Sequence, residues 1–191
     1  MTQPIQVTMR APVEDDRARL LAWRNLPEIS RWMYGDHLIT PDEHDHWFDR
    51  LATHSGSHYW VIELEGEPVG LANLADISTV HLRASWAYYL ASPSVRGKGL
   101  GAYVEVFVIE QAFGPFGLSK LCCEVLAENE AVWKMHEAFG FKHEGLYRQH
   151  IWKQGRAHDV VALSLLAQDW AGLRQASFVR LASRGYQPPG V

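Results

Sequence analysis

The sequence predicts a mixed α/β fold, a central sheet of about seven strands flanked by helices, and three features predict it. Stretches with a two-residue apolar alternation are interleaved with stretches of helical period. Glu65-Gly66-Glu67-Pro68 separates two β-rich runs and is a hairpin signal, so part of the sheet is antiparallel. A glycine-rich turn then joins a strand to an apolar helix in the middle of the chain. The 191 residues suit one unit, with a core over about 5–170 and a C-terminal helix and tail over about 167–191.

In chain order, 5–10 alternates like a short strand, and 14–23 carries a helical apolar face through Ala18, Leu20, Leu21 and Trp23. Pro27 opens a short helical piece reaching Met33. Thr40-Pro41-Asp42-Glu43 is a helix start, with Thr40 as N-cap and Glu43 completing a capping box, and that helix is expected to reach His54. The hairpin strands are 59–64 and 69–74, and 81–91 is the next strand. An apolar helix follows over 100–113, a strand over 121–126, and a helix over 130–139 closed by Gly140. Strands 142–152 and 157–165 pair around Lys153-Gln154-Gly155-Arg156. A last helix starts near Ala167, and Gln187-Pro188-Pro189-Gly190 reads as a frayed tail.

Composition narrows the function. The net charge is −4, with no Lys/Arg run longer than two, which argues against a nucleic-acid-binding face. No apolar run approaches the roughly 20 residues of a membrane span, and the first residues lack a secretory pattern, so no membrane partner and a cytoplasmic location are expected. Cys122 and Cys123 are adjacent, an awkward geometry for a mutual disulfide, which suits a reducing compartment. His44 and His46 lie two apart on a predicted helix and do not share a face. No metal site is expected. The 8 tryptophans are numerous enough for some to line a pocket rather than only a core.

The chemistry resides in Ser92-Pro93-Ser94-Val95-Arg96-Gly97-Lys98-Gly99-Leu100-Gly101-Ala102. Between a strand end and a helix start, backbone N–H groups and the helix dipole can hold a pyrophosphate, glycines allow close approach, and Arg96 and Lys98 add charge. A nucleotide-hydrolysing loop needs Gly-Lys-Ser/Thr, and here Gly99 follows Gly97-Lys98. A dinucleotide fingerprint is matched loosely by Gly97, Gly99 and Ala102, with Glu124 downstream. That fold starts with its fingerprint strand, whereas this motif follows an antiparallel hairpin.

Arg96-x-x-Gly99-x-Gly101 resembles the acetyl-CoA pyrophosphate loop of the GNAT N-acetyltransferase superfamily, and Asn129-Glu130-Ala131-Val132 leading to Phe139-Gly140-Phe141 resembles its second signature. The resemblance implies the GNAT acyl-CoA N-acyltransferase fold and acetyl-CoA as co-substrate. It implies that Tyr89, Leu90 and Ala91 offer backbone groups to the pantetheine arm. Arg96, Gly97, Lys98, Gly99, Leu100, Gly101 and Ala102 hold the pyrophosphate in that reading, and Asn129 hydrogen-bonds the pantetheine. For Asn129 a plain helix N-cap is the alternative.

Glu124 sits among apolar strand neighbours, where a half-buried carboxylate binds its proton more tightly, and in the ribosomal-protein N-acetyltransferases that this region resembles the matching glutamate is the base. Twelve residues on, those relatives use a tyrosine as acid. This chain has His136, whose imidazolium can protonate a thiolate. Tyr34, Tyr88 and Tyr89 are the reserve acids.

The segments 29–40 and 135–145, with Glu43-His44 and Trp47-Phe48, resemble the pseudaminic acid pathway N-acetyltransferases. The acceptor so implied is the 4-amino group of a UDP-linked 4-amino-4,6-dideoxy-N-acetyl-altrosamine. In that reading Trp23, Met33, Tyr34, Phe48 and Tyr89 wall the sugar, and Arg24, Arg31 or His46 meets the phosphates. Ribosomal-protein termini and polyamines are the alternative acceptors, and a non-catalytic acetyl-CoA sensor is the alternative of another class. A homodimer is one expected assembly.

Overall fold

Seven strands form one mixed sheet in the order β1-β2-β3-β4-β5-β7-β6. The computed structural model describes residues 4–51, 53, 56–95 and 97–190. β1 (Val7–Arg10), β2 (His58–Leu64), β3 (Glu67–Ser78) and β4 (Arg83–Leu90) run antiparallel to their neighbours. β5 (Lys120–Leu126), β7 (Arg156–Leu166) and β6 (Lys142–Lys153) form a second antiparallel set. Two of the hairpin turns are dictated locally: Glu65-Gly66 and Gln154-Gly155 have positive φ throughout, the two-residue turn whose twist matches the strands.

The two sets meet through a short parallel contact. β4 and β5 pair only at Arg83–Lys120, Ala84–Leu121 and Ser85–Cys122, then part. Each strand keeps its outer ladder, β4 with β3 and β5 with β7, so the parting opens a slot without dissolving the sheet.

On one face lie α4 (Leu100–Phe113), α5 (Glu130–Ala138) and α6 (Ala167–Ala182). α4 is buried on nearly every side, with Val104, Val106, Val108, Ile109 and Ala112 inaccessible. On the other face α1 (Arg17–Arg24), α2 (Pro27–Ser30) and α3 (Pro41–Asp49) cover a smaller core of Leu20, Phe48, Val61 and Leu71. The Thr40 capping box forms as expected: Thr40 Oγ1 accepts from the Glu43 N–H (3.3 Å), and the Glu43 carboxylate accepts from the Thr40 N–H (2.8 Å). α3 ends at Asp49 rather than near His54, which lies outside the described residues.

The chain after α6 is anchored just before the tail expected over 187–190. Tyr186 is 2% exposed, bridges Ile5 beside β1, and donates its hydroxyl to the Lys98 carbonyl (2.9 Å). Among the described residues no helix is long and apolar enough to cross a membrane.

Gly70 lies where β3 and β4 come closest. A Cβ there would stand 2.3 Å from the Tyr89 carbonyl oxygen, a backbone atom with nowhere to go. Gly70→Ala is therefore expected to cost about 1–3 kcal/mol, the range for overpacking, read as a lower urea midpoint at unchanged m-value.

Candidate active site

The slot between β4 and β5 is built from backbone first. The Ala91 N–H donates to the Val69 carbonyl (2.7 Å), so by antiparallel alternation Ala87, Tyr89 and Ala91 spend their backbone groups on β3. Tyr88 and Leu90 turn theirs toward the side that β5 has vacated. Likewise the Ala127 N–H donates to the Asp159 carbonyl (2.9 Å), which leaves Glu124 and Leu126 turned toward the slot from β5. Of the three residues expected to offer backbone groups, Leu90 turns its own toward the slot, as Tyr88 does, while Tyr89 is committed to β3 and the Ala91 N–H to Val69. Strand phase, which the sequence leaves open, decides this.

The slot is a cavity of about 660 Å³ lined by Leu90, Glu124, Asn129 and His136, with Glu28 and Arg31 at its α2 side. Asn129 occupies the N-cap position of α5 but makes no side-chain capping bond, so its amide is free for a ligand. Glu124 faces α2 and is exposed, because β5 sends Leu121, Cys123 and Val125 to the α4 core and Glu124 to the opposite face. The expected half-burial is thus corrected. Its carboxylate accepts the Tyr34 hydroxyl at 2.7 Å. Burial, then this bond, pushes the Tyr34 phenol well above its ordinary range, so it stays protonated near neutrality.

Tyr34 is held from the far edge of the sheet. Lys153, at the β6–β7 hairpin and 2% exposed, donates to the carbonyls of Ser30 (2.7 Å) and Met33 (2.6 Å). The Gln154 N–H donates to Asp36 (3.0 Å). These bonds pin the turn after α2, and nothing in the hairpin sequence signals them.

On the α4 face a groove of about 510 Å³ runs past the glycine loop. Gly97 and Gly99 have φ of 75° and 80°, and Gly99 starts α4. A Cβ on Gly101 would lie 2.7 Å from the Tyr88 hydroxyl. Leu100 and Ala102 are buried, so they present only backbone, and Lys98 is exposed beside the groove rather than in its lining. Arg96 lies outside the described residues. Lys134 on α5, Arg180 on α6 and Arg184 just beyond it line the groove and add positive charge that the sequence reading missed. The loop N–H groups, the start of a 14-residue helix and these three cations suit the phosphates of a coenzyme A molecule. Among the described residues no group of His, Cys, Asp and Glu is gathered to hold a metal ion.

A third cavity, about 480 Å³, lies on the other face between α1, α3 and the sheet, and shares Met33, Ala87, Tyr88 and Tyr89 with the slot. Its wall is mostly apolar, and Arg24 lines it. Of the other residues expected around the acceptor, Met33 and Tyr89 also line it and Arg31 lines the slot, whereas Phe48, Trp23 and His46 line neither. Phe48 is in the small core beneath the Arg17 guanidinium, and Trp23 packs against that core beside Arg19. His46 is exposed on α3, its Nδ1 against the Asp42 carbonyl (2.7 Å), because only one face of this helix meets the sheet.

Residues 6–142 match the model of the acetyltransferase (GNAT) domain. The chain belongs to this family. It is 26% identical over 123 residues to the spermidine N(1)-acetyltransferase of Escherichia coli K12, covering 64% of this chain and 66% of that enzyme, just under two thirds of its length. It is 24% identical to the putative ribosomal N-acetyltransferase YdaF of Bacillus subtilis, across 90% of this chain and 96% of the relative. The fold matches the spermidine N-acetyltransferase of Vibrio cholerae, solved with CoA and spermine, at a TM-score of 0.82 and 22% identity, over 87% of this chain and 98% of that one. These names are of a polyamine and a ribosomal substrate, so the pseudaminic acid resemblance drawn from 29–40 and 135–145 finds no support among them.

Gly99→Val places a branched side chain at φ 80° with its Cβ 2.9 Å from Arg184 Nη1. Acetyl-CoA affinity in calorimetry is expected to fall at least about tenfold while the far-UV circular dichroism is kept.

Proposed function

We propose that the protein transfers the acetyl group of acetyl-CoA to a primary amine, and that the amine belongs to the polyamine class. The observation that carries the first part is the slot itself. It offers unspent backbone groups and a free Asn129 amide toward the coenzyme groove, and the Glu124–Tyr34 pair at its opposite mouth.

In this reading the loop 97–102, with Lys134, Arg180 and Arg184, binds the phosphates. Asn129 and the β4 edge bind the pantetheine amides. The Leu90 N–H stabilises charge on the thioester oxygen, and such a donor is worth on the order of 100-fold in rate. Glu124 accepts a proton from the amine, directly or through water, and the Tyr34 hydroxyl aims it. His136 supplies the proton for the departing sulfur.

The polyamine class is supported by the spermidine acetyltransferase relatives and by two carboxylates, Glu28 and Glu124, on the acceptor side of the slot. A nucleotide-linked amino sugar is the second reading. Arg24 favours it: its guanidinium lines an apolar pocket and has no ion pair or hydrogen bond among the described residues, a setting that receives an anionic group.

Thiol release with spermidine, a UDP-linked 4-amino-4,6-dideoxy sugar and a ribosomal N-terminal peptide at equal concentration separates the readings. Spermidine is expected to give the highest kcat/KM, and preference for the sugar would reverse the order of the two. Glu124→Gln is expected to lower kcat about 100-fold with acetyl-CoA affinity unchanged. Turnover within about twofold of wild type would make Glu124 structural only.

A further inference from the structure

Two glutamates are buried on α4, and their settings differ. Glu110 is saturated, accepting from Trp170 Nε1 (2.7 Å) and from Arg174 Nη2 (2.7 Å) and Nε (2.9 Å). Glu105 is fully buried and engages only His136, with its Oε1 2.9 Å from Nδ1. Its Oε2 has no partner among the described residues. An uncompensated carboxylate in a core is costly, and a second apolar side chain would pack there at less expense.

We infer that Glu105 is a positioning residue that holds the His136 ring through Nδ1, so that Nε2–H faces the slot as the proton donor to the coenzyme sulfur. With Nδ1 engaged by Glu105, Nε2 is the nitrogen left for the slot that His136 lines. The ring cannot turn freely. Trp86 and Phe141 hold it at centroid distances of 5.1 and 5.4 Å.

Two groups of the sheet face the Glu105–His136 pair. Tyr88 faces it from β4 and Cys123 from β5, and burial pushes both above their ordinary values, so neither adds negative charge near neutrality. Burial pushes the Glu105 carboxyl above the usual carboxylate range, and the His136 bond and the charge of Arg180 on α6 offset that only in part.

This inference rests on the acetyl-transfer reading and completes its proton balance. The amine nitrogen forms a bond to the acetyl carbon, and the carbon–sulfur bond breaks. The sulfur takes the Nε2 proton, Glu124 or water takes the amine proton, and His136 is reprotonated from solvent. No oxidant, reductant or metal is needed.

Two measurements test it. In the wild-type protein, ¹⁵N NMR of the imidazole is expected to show a proton on Nε2 of His136, with Nδ1 in the hydrogen bond to Glu105. A bare Nε2 would overturn the inference whatever the activity. In kinetics, Glu105→Gln keeps the shape and removes the ionisable carboxyl. It is expected to lower kcat at least about tenfold, leave both KM values within about twofold, and move the alkaline limb of kcat about one unit to lower pH. Glu105→Asp is expected to restore the limb in part. An unchanged limb in Glu105→Gln would refute the positioning role, and if that variant does not fold, the wild-type spectrum decides. Absence of turnover with every amine in the wild type would instead fell the acetyltransferase reading.

Discussion

The structure depends on two parallel strands that stop pairing. β4 and β5 share three residue pairs and then separate, while each retains a full ladder on its other side. Backbone groups that have left one ladder without joining another need a partner, and the two edges of the slot expose them in alternate phase. An extended ligand with amide groups of its own satisfies that demand. The same separation connects the α4 face, where the groove beside the glycine loop lies, with the α2 face, where Glu124 meets Tyr34. A closed sheet would have kept the two chemistries apart.

Because the slot runs through the sheet, its walls come from distant parts of the chain. The β6–β7 hairpin holds the turn after α2 through Lys153 and Gln154, across more than 100 residues of sequence. The tail holds the glycine loop through Tyr186 and the Lys98 carbonyl. Burial of the Lys153 ammonium lowers its affinity for its proton, and two carbonyls compensate for the lost water. These contacts set where Tyr34 and Gly99 stand, although neither anchor touches the slot.

What the sequence made legible was local. The Thr40 capping box, the Gly66 turn, the bounds of α4 and the glycine loop are each specified within a few residues, and each appears where expected. What it hid depended on phase and on long range. Glu124 has apolar neighbours two by two, but alternation puts them on the other face, so it is exposed. Phe48 and Trp23 are aromatic in an aromatic-rich segment, yet helix rotation sends them to a small core and His46 to solvent. Arg180 and Arg184 had no signal at all, since only the packing of α6 against α4 brings them to the loop. The Glu105–His136 contact likewise joins two helices that sequence periodicity treats independently.

The charges around the acceptor side limit how an amine can approach. Of the arginines near the N-terminal helices, Arg10 is bound to Asp16 and Glu63, Arg17 to three carboxylates, and Arg19 to Asp16. Arg24 has no such partner among the described residues and lines a mostly apolar cavity, where burial already penalises its charge. A second cation entering that cavity meets repulsion in a medium that screens poorly. The carboxylates Glu28 and Glu124 lie on the slot instead. An acceptor must therefore keep its ammonium groups along the slot mouth and send only an apolar or anionic part toward Arg24. For a polyamine this means lying across the mouth of the slot. For a nucleotide sugar it means entering the cavity between α1, α3 and the sheet phosphate first. The two acceptors would thus occupy different cavities while presenting their amine to the same carboxylate.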